Sequence, residues 1–314
     1  MVDRPHRPMA LASTPGFPPQ AQVTISDDNS TVKAVLPTGE SVQVRLYGAT
    51  VSSWKTATGK DNLWMSEAAV LDGSKAIRGG IPVVFPVFGT APDKESVAKL
   101  PQHGFARISR WEFLGKSTSE GSSSNVKLDF GLSSENLDDN LKSLWPYKFG
   151  LLYSVALDPD SLKTTLVVTN QGDEPFEFQT LFHTYFNISD ISAINIAGLE
   201  DSDYLDKVDS LKTKHQDSSI TITSEMDRVY EPPKKSEVPV VISEDGEPRF
   251  EIVRDNLDQV VVWNPWTETA AKMADFAPNE GYKNMVCVEP GSLKPWQKLE
   301  KGDAFEAAQT IKLV

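Results

Sequence analysis

FGLLYSVALDPDSLKTTLVVTNQGDEPFEFQTLFHTYF, residues 149–186, packs three strand-like runs into one short stretch. In 149–157, 162–170 and 176–186 apolar side chains recur at every second position, which sends them to one face of an extended chain. DPDS and QGDEP separate the runs and supply the Asp, Pro and Gly that turns require. The same pattern continues outward. Upstream, SVQVRLYGATVSSW (41–54) alternates through Val42, Val44 and Leu46, and Gly48 then marks a bend or bulge. Downstream come AINIAGL, SITIT, RFEIVRD, QVVVWNP and NMVCVEP, and AFEAAQTIKLV closes the chain. Short strands this numerous predict an all-β fold, a β-sandwich.

Helix is scarce. SENLDDNLKSLWP (134–146) predicts one short helix capped by Ser134 and stopped by Pro146, and ETAAKMADFA (268–277) predicts a second short turn. GKSTSEGSSSN (115–125) reads as a solvated hairpin loop, since strands resume directly after it. Residues 22–314 are therefore expected to form one domain. Residues 1–21, with five prolines in the first nineteen positions, are expected to form a flexible or surface-hugging arm.

The formal charge is −13, from 31 basic and 44 acidic residues. Such a surface repels polyanions, so neither nucleic acid nor an anionic membrane is expected as a partner. Cys287 is the only cysteine, which excludes an intrachain disulfide and suits a reducing, cytoplasmic location. No HExxH, paired CxxC or EF-hand loop is present, so no metal or cofactor is expected. GKS at 115–117 has the ending of a phosphate-binding loop, but Arg110 stands where that motif needs its first glycine. No obvious exposed apolar stripe is present, and a monomer is expected.

Against this β background, four segments set charged or titratable groups among apolar, aromatic, Gly and Pro residues: Arg78 in RGGIPVVFPVFG, Arg107 in LPQHGFARISRWEF, His183 in TLFHTYFNIS and Glu289 in MVCVEPGS. A buried charge is costly unless it is paired, hydrogen-bonded or used on a ligand. Taken singly, each residue has a plain reading: a packed histidine, surface arginines, a turn-capping carboxylate before Pro290 and Gly291. Taken together, two guanidinium groups, an imidazole and a carboxylate suit an anion and general acid–base chemistry. In a regular strand Cys287 and Glu289 share one face, with Val286 and Val288 on the other. Trp263 or Trp266 offers a stacking surface for a sugar. Asp227 either pairs with Arg228 or accepts hydrogen bonds from hydroxyls.

In order along the chain, RGGIPVVFPVFG, LPQHGFAR, FHTYFNI, MDRVY, VVVWNP and VCVEPG make the sequence resemble the aldose 1-epimerase superfamily, and within it the hexose-6-phosphate mutarotase branch. The resemblance runs from about residue 22 to the C-terminus. It implies a large antiparallel β-supersandwich and an isomerase that exchanges the α and β anomers of a hexose 6-phosphate, a small sugar phosphate, without cofactor. It implies His183 as acid and Glu289 as base, with Arg78, Gln102, Arg107 and Asp227 contacting substrate and His103 behind them. Two other readings compete: a non-catalytic sugar-phosphate-binding module, and a glycoside hydrolase, which ordinarily needs two carboxyl groups flanking the scissile bond.

Overall fold

The computed structural model describes residues 19–117, 125–233 and 238–314. The N-terminal arm expected over 1–21 lies almost wholly outside the described residues, as does most of the 115–125 loop. The first strands, β1 (Gln22–Ile25), β2 (Thr31–Val35), β3 (Ser41–Arg45) and β4 (Thr50–Lys55), form a four-stranded antiparallel meander. Gly48 turns β3 into β4 with a φ of 73°, and a Cβ there would sit 2.6 Å from the Arg107 carbonyl oxygen.

Two eight-stranded sheets follow. The chain runs through β5 (Val83–Val84), β6 (Glu112–Ser117), β7 (Val126–Ser133), β8 (Phe149–Leu157), β9 (Ser161–Asn170), β10 (Phe176–Phe182) and β11 (Tyr185–Asn187). It continues through β12 (Ile194–Ala197), β13 (Ser202–Asp206), β14 (Lys212–Gln216), β15 (Met226–Glu231), β16 (Val240–Glu244) and β17 (Glu247–Asp255). The last three strands are β18 (Gln259–Asn264), β19 (Met285–Leu299) and β20 (Ala304–Leu313). One sheet has the order β14-β13-β15-β18-β19-β10-β5 with β11 also on β19, and the other β12-β16-β17-β20-β9-β8-β7-β6.

The stretch 149–186 supplies both layers. β8 and β9 form a hairpin in one sheet, whereas QGDEP carries β10 across to the other. Inner faces meet through Tyr153 on Phe182, Phe178 on Phe305 and Phe186 on Phe250, with ring centroids 6.0, 5.5 and 4.9 Å apart. This is the β-sandwich expected from the strand pattern, in the large antiparallel supersandwich form that the family resemblance implies.

Local expectations changed in four places. SITIT makes only an isolated bridge, Ile220 to Ile196. The first helix is α1 (Asp139–Leu144), capped by Asp138, whose Oδ1 accepts from the Leu141 N–H at 2.9 Å. Ser134 does not cap it, because a turn intervenes, closed by the Asn136 N–H on the Ser133 carbonyl at 3.1 Å, and the helix starts only after Asp138. The second helix, α2 (Trp266–Lys272), starts two residues before Glu268, where the Asn264 side chain accepts the Trp266 N–H.

The fourth change shapes the site. Residues 176–186 are not one strand but two, interrupted at His183 and Thr184. Pro290 and Gly291, expected as a turn, instead continue β19. The two facts explain each other. Leu181 pairs with Gly291 and Tyr185 with Cys287, so the interrupted rungs between them set Phe182, His183 and Thr184 opposite Pro290, Glu289 and Val288, where the Val288 N–H still donates to the Thr184 carbonyl at 3.3 Å. Proline has no N–H for a ladder and is tolerated where the neighbouring strand asks for none.

Candidate active site

The interrupted rungs place His183 directly across from Glu289. Both are buried, and His183 Nδ1 lies 3.2 Å from Glu289 Oε1, close enough for proton transfer although off the angle of a hydrogen bond. Val286 and Val288 point into the main core, while Cys287 and Glu289 take the opposite face. Tyr185 stacks on the His183 ring with centroids 4.7 Å apart and planes within 7°, and Trp263 meets it edge-on. Pro82 fixes the backbone, its carbonyl accepting the His183 N–H at 3.0 Å.

This pair forms the base of a cavity of about 280 Å³. Arg78, Gln102, His103, Arg107, His183, Asp227 and Glu289 all line it, so the residues singled out in the sequence converge from five separate segments. Trp263 lines it too, whereas Trp266 packs away on Tyr282. His103 stands in the wall itself rather than behind it. His103 and Gly104 both take left-handed backbone, with φ of 65° and 70°, which swings the imidazole inward. A Cβ at Gly104 would fall 2.1 Å from the Phe85 carbonyl oxygen, so only glycine fits that close approach. The Gly89 N–H donates to His103 Nδ1 at 3.2 Å. A neutral ring then carries its proton on Nε2; the Gln102 amide nitrogen, 3.4 Å away, is also a donor, so a hydrogen bond there requires the amide to turn its oxygen to the ring.

The two arginines are held differently. Arg78 is engaged: Nε and Nη2 lie 3.3 and 3.2 Å from Asp275, and Nη1 donates to the Tyr185 hydroxyl at 3.1 Å. Burial works against its charge, but Tyr185 and Asp275 outweigh that and raise its pKa. Arg107 donates from Nη2 to the Gln102 carbonyl at 2.9 Å, and its buried Nε has no hydrogen-bond partner among the described residues. Loss of hydration pushes its pKa down to about 10, so it remains cationic at neutral pH.

Asp227 pairs not with Arg228 but with Lys207, whose Nζ lies 2.9 Å away. Arg228 turns instead to Asp206. Lys207 was not singled out from the sequence; it lies in a charged turn, DYLDKVDS, that looks like ordinary surface. It lines the cavity with its ammonium over the Phe88 ring. Asp275, which anchors Arg78, was equally silent.

Burial is the largest influence on both members of the central pair. It holds the His183 imidazole well below its ordinary pKa, reinforced by His103, Arg107 and Arg78. It pushes the Glu289 carboxyl well above the usual range, reinforced by Asp227. Burial thus favours a neutral imidazole beside a protonated carboxyl over the charged pair.

A raised folded-state pKa means that the folded protein binds this proton more tightly than the unfolded chain does. The stability it provides is complete below the unfolded carboxyl value and is lost as pH rises toward the folded one. Glu289→Gln does not titrate and escapes the loss. Thermal melts should show no Tm advantage for the variant near pH 4 and a growing one toward pH 8. An advantage confined to acid pH would contradict the raised value.

A supersandwich with an imidazole–carboxylate pair at the base of a small cation-walled cavity is built as a mutarotase-like protein. A crystal structure described as a "putative mutarotase" from Salmonella typhimurium superposes with a TM-score of 0.79 at 28% identity, covering 95% of each chain. The aldose 1-epimerase family model matches residues 31–312, and the chain belongs to that family. It is an isomerase of the epimerase class. Two relatives carry the name "Putative glucose-6-phosphate 1-epimerase". The one from Cenchrus ciliaris is 36% identical over 280 residues, 87% of this chain and 81% of the relative. The one from Escherichia coli K12 is 34% identical over 270 residues, 85% of each. Among the described residues no helix is long and apolar enough to cross a membrane.

Proposed function

We propose that this protein interconverts the α and β anomers of a hexose 6-phosphate, with Glu289 and His183 as the base and acid. The observation that carries the reading is their 3.2 Å approach across the interrupted rungs. Ring opening of a hemiacetal needs a proton taken from the C1 hydroxyl and another given to the ring oxygen. Both oxygens are bonded to the same carbon, so the groups that serve them must themselves be neighbours. Glycoside hydrolysis instead calls for two carboxyl groups about 5 Å or more apart, flanking a bond to a leaving group. Here the nearest ionisable partner of Glu289 is an imidazole, and Asp227 is engaged with Lys207.

The proton count closes. Before opening, Glu289 is a carboxylate and His183 an imidazolium; afterwards Glu289 is protonated and His183 neutral. One proton belongs to the pair in both states. Burial by itself favours the distribution of the opened state. A phosphate seated on the arginines offsets the positive charge that depresses His183, which favours passing the proton from Glu289 to His183 before opening. The aldehyde then rotates about the C1–C2 bond, and reclosure on its other face returns both protons. Anchoring C6 through its phosphate holds the rest of the sugar while C1 turns, spending remote binding energy on position.

Arg107, with its unpartnered Nε, and Lys207 support the phosphorylated substrate. The relatives' names agree with it, and the acidic surface makes such a local cationic wall necessary for an anion. The test is to add the protein to freshly dissolved pure α-glucose 6-phosphate and follow anomer exchange by NMR. Exchange should outpace buffer severalfold or more at catalytic protein concentration. Rates equal to buffer would leave a binding module as the better reading.

A further inference from the structure

Behind the acid–base pair lies a third donor that the proposed reaction does not use. Cys287 is fully buried, two residues before Glu289 on the same face of β19 and paired in register with Tyr185. One donor atom from each of His183, Cys287 and Glu289 lies within 4.8 Å of the others. A tetrahedral zinc site with ordinary bond lengths needs donors about 3.5 Å apart, so small side-chain rotations suffice. His183 and Glu289 are nearly there at 3.2 Å. Glu289 Oε2 is buried, lacks a hydrogen-bond partner among the described residues, and belongs to a side chain facing the cavity.

We propose that His183, Cys287 and Glu289 form a three-donor site for a borderline-soft divalent cation, zinc above all, and that its occupancy shuts the acid–base pair off from the sugar. The donor set carries the choice of metal. Imidazole, thiolate and a single carboxylate suit zinc, whereas magnesium and calcium require mostly oxygen ligands. The fields around the cavity do not forbid it. Arg78 and Lys207 are paired with Asp275 and Asp227, leaving Arg107 to face Glu289. Three protein donors leave the cavity side of the cation for a water. On binding, the thiol proton and the proton held by the pair pass to solvent, so the ion removes the proton that anomer exchange needs. Zinc is thereby a reversible inhibitor and not a cofactor. The inhibition rests on the proposed roles of His183 and Glu289; the binding does not.

Cobalt(II) reports the site directly, through thiolate-to-metal charge-transfer absorption. Titrating the full-length protein should give that band with one equivalent, bleached by zinc and indifferent to magnesium. Cys287→Ser should abolish the band and weaken zinc on the order of tenfold or more, as loss of a donor does. Its anomer exchange should persist and should resist zinc. Cys287→Ala serves as a second variant, with near-UV circular dichroism confirming the fold of each. Absence of saturable binding overturns the site. So does a band or zinc affinity that survives both cysteine variants, or that disappears in His215→Ala, since exposed His215 beside Asp203 is the rival surface ligand. A cobalt band in a protein without anomer exchange would leave the metal site standing and remove the proposed function instead.

Discussion

Glu289→Gln should lower kcat for anomer exchange by about 10²–10⁴-fold, the usual worth of a general acid–base step, while KM changes little. The substitution keeps the shape of the side chain and removes only its ability to accept a proton. Burial of an amide costs less than burial of a carboxylate, so the fold has no reason to suffer. His183→Asn should cause a loss of similar size. The double variant should be scarcely worse than either single one, because the two groups move one shared proton and act as a unit. NMR exchange measurements on the three variants decide the matter. Glu289→Gln activity within a few-fold of the parent would remove Glu289 from the chemistry. A raised KM with unchanged kcat would make it a binding group.

Much of this could be read before any coordinates. The two-residue period in 149–186 predicted strands, and β8, β9 and most of β10 lie where it put them. Segments that set a charge among apolar residues predicted which side chains would converge. Period alone could not show that QGDEP crosses from one sheet to the other, because a turn of that composition serves a hairpin equally well. Nor could it show the interruption at His183. LFHTYF is a good strand by every local measure, and only the partner residues on β19 decide where the ladder fails. Pro290 was the available hint, but beside glycine it reads as a turn. Ser134 failed as a cap because a turn at the end of β7 intervenes and delays the helix until after Asp138. Lys207 and Asp275 had no signal at all. Each is an ordinary charge in an ordinary loop until the fold brings it to Asp227 or Arg78.

That difference in bonding separates the two arginines as probes of substrate. Arg107→Ala should reduce kcat/KM for glucose 6-phosphate by about 10–100-fold, mostly through KM, since a charge-assisted hydrogen bond contributes about 1.5–3 kcal/mol. Exchange of unphosphorylated glucose should change by less than about threefold, an effect within a single neutral contact. The guanidinium can be lost cleanly because its one hydrogen bond among the described residues is to the Gln102 carbonyl, near solvent. Arg78→Ala should behave otherwise. It strands Asp275, frees the Tyr185 hydroxyl, and so loosens the ring that stacks on His183. Both sugars should then lose rate, with kcat falling as well as KM rising. Steady-state kinetics of the two variants on glucose and glucose 6-phosphate test the pattern. If Arg107→Ala slowed both sugars alike, Arg107 would be a structural charge, and the case for a phosphate would rest on Lys207. If it spared both, the cavity would be that of an enzyme for free hexoses.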